Sequence, residues 1–424
     1  MKIAKNKLRK YISKTLVREG GKKIFNKNMG LADPVPEEGI KRAVEILRKS
    51  DLYRYGTPSA EVSEVTQLEN DFAQYIGAKY ALAVNSCSSA IFLSLISSGI
   101  KQGDKVLVPA VTFTAVPSAI INVGAIPVLI ECTESYQIDI NDFKNKISKE
   151  TKAFLISHMR GHVSDMDEIV KICKKNNIIL LEDAAHSLGV LWKGKQTGTI
   201  GKVGSYSFQS HKIINSGEGG MLVTDDEEIA VKATIYSGAF ENWWKKHQIQ
   251  SDLFSKYLMD IPIYNLRMSN VTAALIRPQI KLIEKKTKIY IKNYLLMSNI
   301  LSTSIYITVP KRDPRERMSP DTIQFNIHGF SKKELIFFME IMKEEGLSIY
   351  AFGADEGNVR VYTNWRYLGS IPNLPMTQNF LKTACDFRLP VFLNSEDIYM
   401  MGGIIINILN YIFNKRVVGR YPIY

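Results

Sequence analysis

Residues 79–110 read KYALAVNSCSSAIFLSLISSGIKQGDKVLVPA and contain one complete strand–helix–strand unit. The run KYALAVNS predicts a strand, SSAIFLSLISSGI predicts a helix, and DKVLVPA predicts a second strand. Both strands are almost continuously apolar, which is typical of parallel strands covered by helices on both faces. This stretch therefore indicates an α/β fold.

The same alternation continues along the chain. Helices are predicted at 37–50, with Ile40, Val44 and Leu47 on one face, and at 65–75; further strands are predicted at IPVLIEC, TKAFLISH, IILLEDAA and VGSYSFQS. A helical pattern spans about 271–301, and Pro278 predicts a kink or break near its start. We expect this helix to link a large domain over 35–280 to a smaller α+β domain over 281–424.

Composition narrows the class of protein. The chain has 424 residues, 45% of them hydrophobic and 23% charged, as in ordinary globular proteins. No apolar run approaches the roughly 20 residues that span a bilayer, and no secretory signal is visible in residues 1–30. The four cysteines show no CxxC or metal-ligand spacing, so we predict no metal site and a cytoplasmic location.

Residues 1–34 form a basic N-terminal extension. The first 30 residues hold ten Lys/Arg and one Glu, against a net charge of +13 for the whole chain. Leu8, Tyr11, Ile12 and Leu16 can share one face of a short helix. This pattern is compatible with contact to an anionic membrane surface, or with an arm that docks on the fold or frays. No nucleic-acid-binding motif accompanies it, so no nucleic-acid partner is predicted.

Open parallel sheets bind ligands beyond the carboxyl ends of their strands, and four strand ends carry candidate residues. At 83–90, AVNSCSSA places serine hydroxyls and helix amides where an anion could bind, although such residues also serve as helix caps. Phe113 follows the next strand and either stacks on a flat ring or fills the core. Asp183 ends the strand IILLED and either pairs with a cation or caps a helix.

The fourth strand end is SYSFQSHKIINSGEGG, residues 205–220, where Lys212 precedes a glycine-rich turn. A phosphate-binding P-loop is excluded, because its glycines must come before the lysine. A Rossmann site is also excluded, since no GxGxxG opens a helix after a strand. A lysine, a carboxylate, a stacking aromatic ring and an anion cradle are together what pyridoxal 5′-phosphate (PLP) requires.

With these segments in place, the chain resembles the DegT/DnrJ-type sugar aminotransferases of the fold-type I PLP enzymes over about residues 35–415. The motifs that carry the resemblance are GAKYALAVNSCSSAIFLSL, VLVPAVTFTAVPSAIINVGAIPVLIE, IILLEDAAHSLG, GSYSFQSHKIINSGEGGMLVTDD and YNLRMSNVTAALIRPQI. The resemblance implies a large, mainly parallel, seven-stranded-type sheet with helices on both faces, followed by a smaller α+β domain.

The resemblance also implies roles for individual residues. Lys212 matches the lysine that forms the imine with PLP and moves protons, and Asp183 matches the aspartate that pairs the pyridinium nitrogen. The other matches are Phe113 stacking on the ring, His186 near the ring hydroxyl, Ser88, Ser89 and Ser207 on the phosphate, and Asn265 reaching the cofactor of a neighbouring subunit. A homodimer with shared active sites is implied as well.

The implied reaction moves an amino group from an amino acid, glutamate in the first instance, to a keto-sugar that is expected to be nucleotide-linked, with pyridoxamine 5′-phosphate as the intermediate. The product would be an amino sugar of a surface glycan, lipopolysaccharide or secondary metabolite. Alternatives are a free keto-sugar acid or an aminocyclitol ketone as acceptor, or a non-enzymatic regulator with the same fold. Relatives that dehydrate sugars have histidine in place of Lys212, so transamination is favoured.

Three segments depart from the family pattern. Cys87-Ser88 stands where many members have Gly-Thr, and residues 1–30 lie outside the resemblance. The segment IYSGAFENWWKKHQ, Ile235 to Gln248, fits the family's glycine motif only loosely. We expect the acceptor pocket around Arg54–Thr57, Gly238–Lys246 and a partner chain, so the departure at 235–248 puts the usual substrate set in doubt.

Overall fold

The computed structural model describes residues 8–59 and 63–417, and the chain divides into two compact units. The large unit comprises Ala32–Thr287 and Arg312–Ser319. The small unit comprises the residues up to Leu31, Lys288–Lys311 and the chain from Pro320 onward. The N-terminal extension as far as Leu31 thus groups with the small unit, and the segment Arg312–Ser319 belongs to the large unit. The sequence predicted neither assignment.

Fourteen strands are described, and six of them lie where the apolar runs predict strands. In chain order they are β1 Tyr80–Val84, β2 Lys105–Pro109, β3 Ile126–Ile130, β4 Thr151–Ser157, β5 Ile179–Asp183, β6 Leu191–Trp192, β7 Lys195–Gln196, β8 Val203–Ser207, β9 Gly220–Thr224, β10 Ile307–Thr308, β11 Glu316–Arg317, β12 Thr322–Ile327, β13 Tyr350–Ala351 and β14 Ala384–Arg388.

The α-helices alternate with these strands in the large unit and surround a second sheet in the small unit. They are α1 Glu37–Lys49, α2 Glu64–Ile76, α3 Cys87–Ser97, α4 Ala115–Asn122, α5 Ile140–Lys146, α6 Met166–Lys175, α7 Glu227–Ser237, α8 Leu253–Tyr257, α9 Asn270–Ile276, α10 Ile283–Leu301, α11 Lys332–Glu344, α12 Pro375–Leu381 and α13 Ser395–Val417. Residues 8–12 are also helical.

The large unit is built on a seven-stranded sheet with the order β1-β9-β8-β5-β4-β2-β3. The pairs β2–β3, β2–β4, β4–β5 and β5–β8 are parallel, and β9 runs antiparallel to both of its neighbours. The predicted mainly parallel sheet is confirmed. Six of its seven strands therefore end at the same edge, where ligands bind in open α/β sheets.

Side chains alternate between the two faces of these strands, and the register shows which of them share a face. Ser157, Asp183 and Ser205 are register partners across β4, β5 and β8. Ile156, Glu182 and Gly204 form the adjacent row, whose side chains belong to the opposite face. The consecutive acidic residues at the end of β5 are thus separated by the sheet.

The long helical pattern at 271–301 is divided in the structure. Helix α9 ends at Ile276, a 3₁₀ segment covers Arg277–Leu282 with Pro278 in its first turn, and α10 begins at Ile283. Proline has no amide hydrogen and its ring clashes with the preceding turn, which explains the interruption. The predicted break near Pro278 is confirmed, although it divides the pattern into three elements.

Helix α1 has the predicted apolar side chains, but they are not its buried face. Gly39, Ala43 and Ile46 are the buried residues of this helix. Ile40 and Leu47 are 43% and 54% exposed, and Val44 is also exposed. The described chain thus leaves an apolar stripe on α1 uncovered.

The small unit has a four-stranded antiparallel sheet in the order β10-β12-β14-β13, as the predicted α+β composition requires. Helix α11 begins with a capping box between Ser331 and Glu334. Its buried side chains include Leu335, Phe338 and Ile341. Its apolar residues recur at helical spacing, and the capping box satisfies amide groups at its first turn.

The described part of the N-terminal extension packs on the small unit. Leu8, Tyr11 and Leu16 are buried, and the Tyr11 hydroxyl donates a 2.5 Å hydrogen bond to Glu396. A Cβ atom at Gly403 would lie 2.4 Å from that of Tyr11, so the helix needs glycine at this contact. The apolar face considered for a membrane surface is therefore covered by the protein itself, which favours the docked-arm interpretation.

No helix in residues 8–59 and 63–417 is long and apolar enough to cross a membrane. Within the same residues, no cluster of three His, Cys, Asp or Glu side chains is placed to bind a metal ion. Cys132, Cys173 and Cys385 are buried thiols, and Cys87 is a half-buried thiol.

Candidate active site

The candidate site lies at the edge where the parallel strands of the large unit end. Asp183 is the last residue of β5 and is only 3% exposed. Its carboxylate accepts hydrogen bonds from the Ser157 hydroxyl at 2.7 Å and from the Ala185 amide at 3.1 Å. Burial raises the pKa of Asp183 above its usual value, more than these two hydrogen bonds and the Lys212 charge lower it. The carboxyl is therefore short of compensating positive charge.

Lys212 follows β8 in a turn, where its backbone amide donates to the Gln209 carbonyl at 2.8 Å. Its side chain is half-buried, whereas His211 is exposed. Burial raises the pKa of both Asp183 and Cys87, and the positive charge of Lys212 opposes that rise at each. Lys212 thus supplies positive charge at this edge.

The turn that carries Lys212 is closed by backbone hydrogen bonds on either side of it. The Phe208 amide donates to Gly219 O at 2.9 Å, and the Ser216 amide donates to Phe208 O at 3.0 Å. Gly219 has φ +146°, a conformation that residues with a Cβ atom rarely adopt. The glycine run therefore shapes the base of the turn.

The start of helix α3 forms the second part of the site. Ser86 caps this helix by accepting a hydrogen bond from the Ser89 amide, and Ser88 in the first turn is exposed. A Cβ at Gly220 would lie 2.4 Å from Ser86 and 2.5 Å from the Cys87 nitrogen, so glycine allows the helix start to approach β9.

Gly220 is also the register partner of Ser207 at the end of β8. The predicted phosphate residues Ser88, Ser89 and Ser207 therefore lie on segments that meet around Gly220. Hydroxyls beside the free amides of a helix N-terminus form a favourable site for an anion.

Three other predicted residues lie at or beside the same edge. Phe113 is 38% exposed in the connection after β2, so it does not fill the core. His186 is half-buried just after β5. Asn265 is exposed, and the next residue, Leu266, accepts a 2.9 Å hydrogen bond from the Asn85 amide beyond β1.

Sequence reasoning missed two side chains that contact the acidic residues at the end of β5. Ser157 donates to Asp183, and His158 Nε2 lies 2.9 Å from Glu182 Oε2. The register β4–β5 pairs Ser157 with Asp183, so aligning the carboxyl ends of TKAFLIS and IILLED would have indicated the serine. No comparable signal pointed to His158.

Glu182 is fully buried on the face opposite Asp183. It accepts from the Gly198 and Ile200 amides, each at 2.7 Å, and from the Gly201 amide at 2.5 Å, in addition to its contact with His158. Burial raises the pKa of Glu182, but His158 and these amides outweigh it, and the pKa lies below its usual value. This carboxylate is saturated by the fold and serves structure.

The two segments predicted to form the acceptor pocket contact each other. The Tyr55 ring stacks on Trp243 with centroids 5.6 Å apart and an interplanar angle of 18°. Lys246 Nζ donates to the carbonyls of Tyr55 and Thr57 at 2.6 and 2.5 Å. A cavity of about 460 Å³ lies beside them, lined by Trp243, Lys246 and their neighbours.

Below this aromatic pair lies a buried polar group that connects it to β1. Arg54 forms an ion pair with Glu69 at 2.9 Å, and Glu69 also accepts from the Ala83 amide of β1 at 2.9 Å. Burial and the charge of Arg54 hold the pKa of His247 well below its usual value. Neutral His247 accepts from Arg54 and donates to the Tyr55 hydroxyl at 2.7 Å, which orients that ring.

The residues at the strand edge fit PLP. Burial raises the pKa of the Asp183 carboxyl, and a cationic ring nitrogen beside it would favour the ionised form. The close approach of α3 to Gly220 brings hydroxyl and amide donors to one place, as a phosphate group requires. Lys212 offers a primary amine at the same edge, and Phe113 an aromatic side chain.

Known proteins share this sequence pattern. The DegT/DnrJ/EryC1/StrS aminotransferase family model matches residues 37–399. The spore coat polysaccharide biosynthesis protein SpsC of Bacillus subtilis is 36% identical over 228 residues, or 53% of this chain and 58% of that protein. GDP-perosamine synthase of Escherichia coli O157:H7 is 34% identical over 218 residues, or 51% of this chain and 57% of that protein.

The chain spans between 57% and 63% of the length of the first five curated relatives that it matches. Among solved structures, a GDP-4-keto-6-deoxymannose-3-dehydratase with a trapped PLP–glutamate geminal diamine has a TM-score of 0.77. The match covers 89% of this chain and 100% of the dehydratase chain at 24% identity, which shows that the two share a fold. Because the family model spans most of the sequence, including Asp183 and Lys212, the chain belongs to the DegT/DnrJ/EryC1/StrS aminotransferase family.

Proposed function

We propose that this protein is a PLP-dependent aminotransferase that moves an amino group from an amino acid to a keto-sugar. The observation that carries the proposal is the convergence at one sheet edge of a buried carboxylate, Asp183, and the half-buried Lys212, with the α3 start at the same edge. Family membership supports the reaction class. Fold alone would not, since one fold hosts many activities.

When bound, PLP supplies an aldehyde that combines with amines and a ring that withdraws electrons from the substrate carbon. Lys212 is suited to hold the cofactor and then to move a proton to and from the substrate carbon, as general base and acid. Asp183, as an anion, would favour the positively charged form of the ring nitrogen. Ser88, Ser89 and Ser207 would hold the phosphate, and Phe113 and His186 would orient the ring.

The proposed donor is glutamate and the proposed acceptor is a nucleotide-linked keto-sugar. Two relatives carry names from sugar metabolism, GDP-perosamine synthase and a spore coat polysaccharide biosynthesis protein. The solved dehydratase of this fold holds glutamate on its cofactor. The Tyr55–Trp243 pair and Lys246 form a suitable wall for such an acceptor, because ligand pockets combine aromatic surface with a few polar groups.

Dehydration of the acceptor is the second candidate, since a dehydratase shares the fold. Lys212 weighs against it, because a primary amine at this position can return a proton and complete transamination. His211, the neighbouring imidazole, is exposed. We therefore retain transamination as the proposed reaction.

We also propose a homodimer in which Asn265 acts on the partner's cofactor. The uncovered apolar stripe of α1, with Ile40, Val44 and Leu47, supports an interface, as does the exposed position of Asn265. Mixing the Lys212→Ala and Asn265→Ala variants tests this. Shared sites would give mixed dimers with one intact site and partly restored activity, whereas separate sites would give no restoration.

The reaction is tested by following 2-oxoglutarate release from glutamate with a panel of nucleotide-linked keto-sugars. We expect release with at least one acceptor, and none from Lys212→Ala, which should also lose the absorbance of covalently attached PLP while remaining folded. If no nucleotide-linked sugar reacts, free keto-sugar acids and aminocyclitol ketones follow. Unchanged absorbance in Lys212→Ala would reject the assignment of the lysine.

A further inference from the structure

The three residues after Lys212 are held by side chains from distant parts of the large unit. Ile213, Ile214 and Asn215 are 8%, 0% and 4% exposed, although they belong to a connection between strands. We call the side chains that hold them, Asp33, Lys286 and Gln279, the Lys212 clamp. Connections of this kind are usually exposed and mobile, so a buried, bonded segment beside a reactive lysine needs an explanation.

The first half of the clamp is an ion pair. Lys286 Nζ donates to the Ile213 carbonyl at 2.7 Å and lies 3.1 Å from the Asp33 carboxylate. Lys286 and Asp33 are only 8% and 6% exposed. Burying an ion pair costs desolvation free energy, so such a pair is weak support for stability and points instead to a specific geometry.

The second half is a pair of amide hydrogen bonds. Gln279 Oε1 accepts from the Asn215 amide at 3.1 Å, and Gln279 Nε2 donates to the Asn215 carbonyl at 2.6 Å. Gln279 is fully buried in the 3₁₀ segment that follows α9. The Asn215 side chain adds a 3.2 Å hydrogen bond to the Asp33 carbonyl, which joins the two halves.

The clamp completes a set of bonds that surrounds Lys212. On its N-terminal side, the Lys212 amide donates to Gln209 O. On its C-terminal side, Lys286 donates to the carbonyl of Ile213, and Gln279 binds both the amide and the carbonyl of Asn215. The backbone of Lys212 is thereby fixed from both directions, while its long side chain keeps four rotatable bonds.

We propose that Asp33, Lys286 and Gln279 are positioning residues that hold the Lys212 backbone so that its amine reaches the cofactor aldehyde beside Asp183. The cofactor part of this inference rests on the proposed function. This role does not require any of the three residues to contact the cofactor or the substrate. Supporting residues of this kind matter, because a reactive group must be held within about 0.5 Å of its productive position.

The experiment compares the double variant Lys286→Met/Asp33→Asn with wild type. The double change removes both charges together, so no unpaired charge stays buried. Lys286→Arg is the conservative variant that retains a donor. Lys281→Met is the matched control, since Lys281 lies on the same stretch but pairs with Glu38 on an exposed surface, both side chains being 63% exposed.

Two measurements are made on each purified full-length variant. The first is the rate of covalent PLP attachment to Lys212, trapped by borohydride reduction and located by peptide mass. We expect PLP attachment to be slower by about tenfold to 100-fold in the double variant, and slower in Gln279→Ala as well. Lys286→Arg should recover much of the wild-type attachment rate. Lys281→Met should attach PLP at the wild-type rate. The second is amide hydrogen exchange over residues 208–219, which should rise in the double variant and in Gln279→Ala while the rest of the protein stays protected.

Equal attachment rates and equal exchange in all variants would overturn the clamp. Faster exchange throughout the protein would also overturn it, because the residues would then support the fold in general. If wild type itself does not attach PLP, the proposed function fails. Local exchange over residues 208–219, which needs no cofactor, would still decide whether these side chains hold the segment.

Discussion

Glu182 and Asp183 are consecutive carboxylates at the end of one strand, and the structure gives them opposite environments. Glu182 accepts from three backbone amides and contacts His158, and its pKa lies below its usual value despite burial. Asp183 accepts from one hydroxyl and one amide, and burial raises its pKa. The fold has satisfied the first carboxylate and left the second short of positive charge.

The difference separates structural from functional use of the same chemical group. A buried carboxylate that already accepts a full set of hydrogen bonds is not stabilised further by a ligand. A buried carboxylate with few hydrogen-bond donors and little positive charge nearby stabilises a cation that binds next to it. Perturbed pKa values cluster at functional sites, but only the direction and the cause distinguish Asp183 from Glu182. Four experiments test this contrast.

The largest expected effect is on activity in Asp183→Asn. Without its negative charge, residue 183 no longer favours the protonated form of the ring nitrogen. We therefore expect kcat/KM for transamination to fall by roughly 100-fold or more. Asparagine retains the shape and can still bond to Ser157, so the unfolding free energy should change by less than about 1 kcal/mol. Steady-state kinetics and denaturant titration measure the two quantities. Full activity in this variant would remove Asp183 from its assigned role.

Glu182→Ala should show the reverse pattern. Three backbone amides lose their acceptor, and each unsatisfied buried group costs about 1–3 kcal/mol, so the unfolding free energy should fall by at least about 3 kcal/mol. The rate per folded molecule should stay of the same order as wild type. Glu182→Gln, which keeps one acceptor oxygen, should be intermediate in stability. If Glu182→Ala kept the wild-type unfolding free energy but lost activity, the structural role of Glu182 would be wrong.

A smaller effect is expected from Ser157→Ala. Removing a hydrogen bond to a charged carboxylate costs about 1.5–3 kcal/mol, so the pKa of Asp183 should rise further. The acid limb of the pH profile of kcat/KM should move upward by about one unit, which corresponds to 1.36 kcal/mol.

Ser205→Ala is the matched control for this change. Ser205 is the register partner of Asp183 on its other side, and its buried hydroxyl has no hydrogen-bond partner among the described residues. An equal shift in both serine variants would contradict a specific role for Ser157.

The smallest effect is on the pH dependence of unfolding of the cofactor-free protein. Glu182 has a lowered folded pKa, so its stabilisation is present above its unfolded pKa of about 4.3 and is lost as pH falls through the folded value. Asp183 has a raised folded pKa, so the folded state binds its proton more tightly and stability falls as pH rises from about 3.9 through the folded value.

Replacing Asp183 by Asn should therefore stabilise the cofactor-free protein more at neutral pH than at pH about 4. Replacing Glu182 by Gln should cost more at neutral pH than in acid. Denaturant titrations between these pH values measure both slopes. Parallel slopes for the two variants would show that the two environments do not differ electrostatically.

Much of the large unit could be predicted because its signals are local. Strands β1, β2, β3, β4, β5 and β8 are apolar runs bounded by polar residues, and the intervening helices have matching periodicity. The carboxyl ends of parallel strands meet at one edge, so Asp183 and Lys212 could be assigned to a common site before any coordinates.

Other features depend on partners that are distant in sequence. The apolar face of residues 8–16 has the same pattern whether it contacts a membrane or the protein, and only the packed small unit, with Gly403 against Tyr11, distinguishes the two. The stripe on α1 has core-like spacing but is exposed, because the neighbouring elements cover Gly39, Ala43 and Ile46 instead. Periodicity identifies an apolar face, not what covers it.

The sequence by itself determined the class of fold, the strand ends, and the lysine and carboxylate at the candidate site, because those follow from local patterns and the geometry of parallel sheets. Only the tertiary structure decided that Asp183 is short of positive charge while Glu182 is saturated, and that Asp33, Lys286 and Gln279 hold the segment beside Lys212. Burial and hydrogen-bond partners set these properties, and they come from residues far apart along the chain.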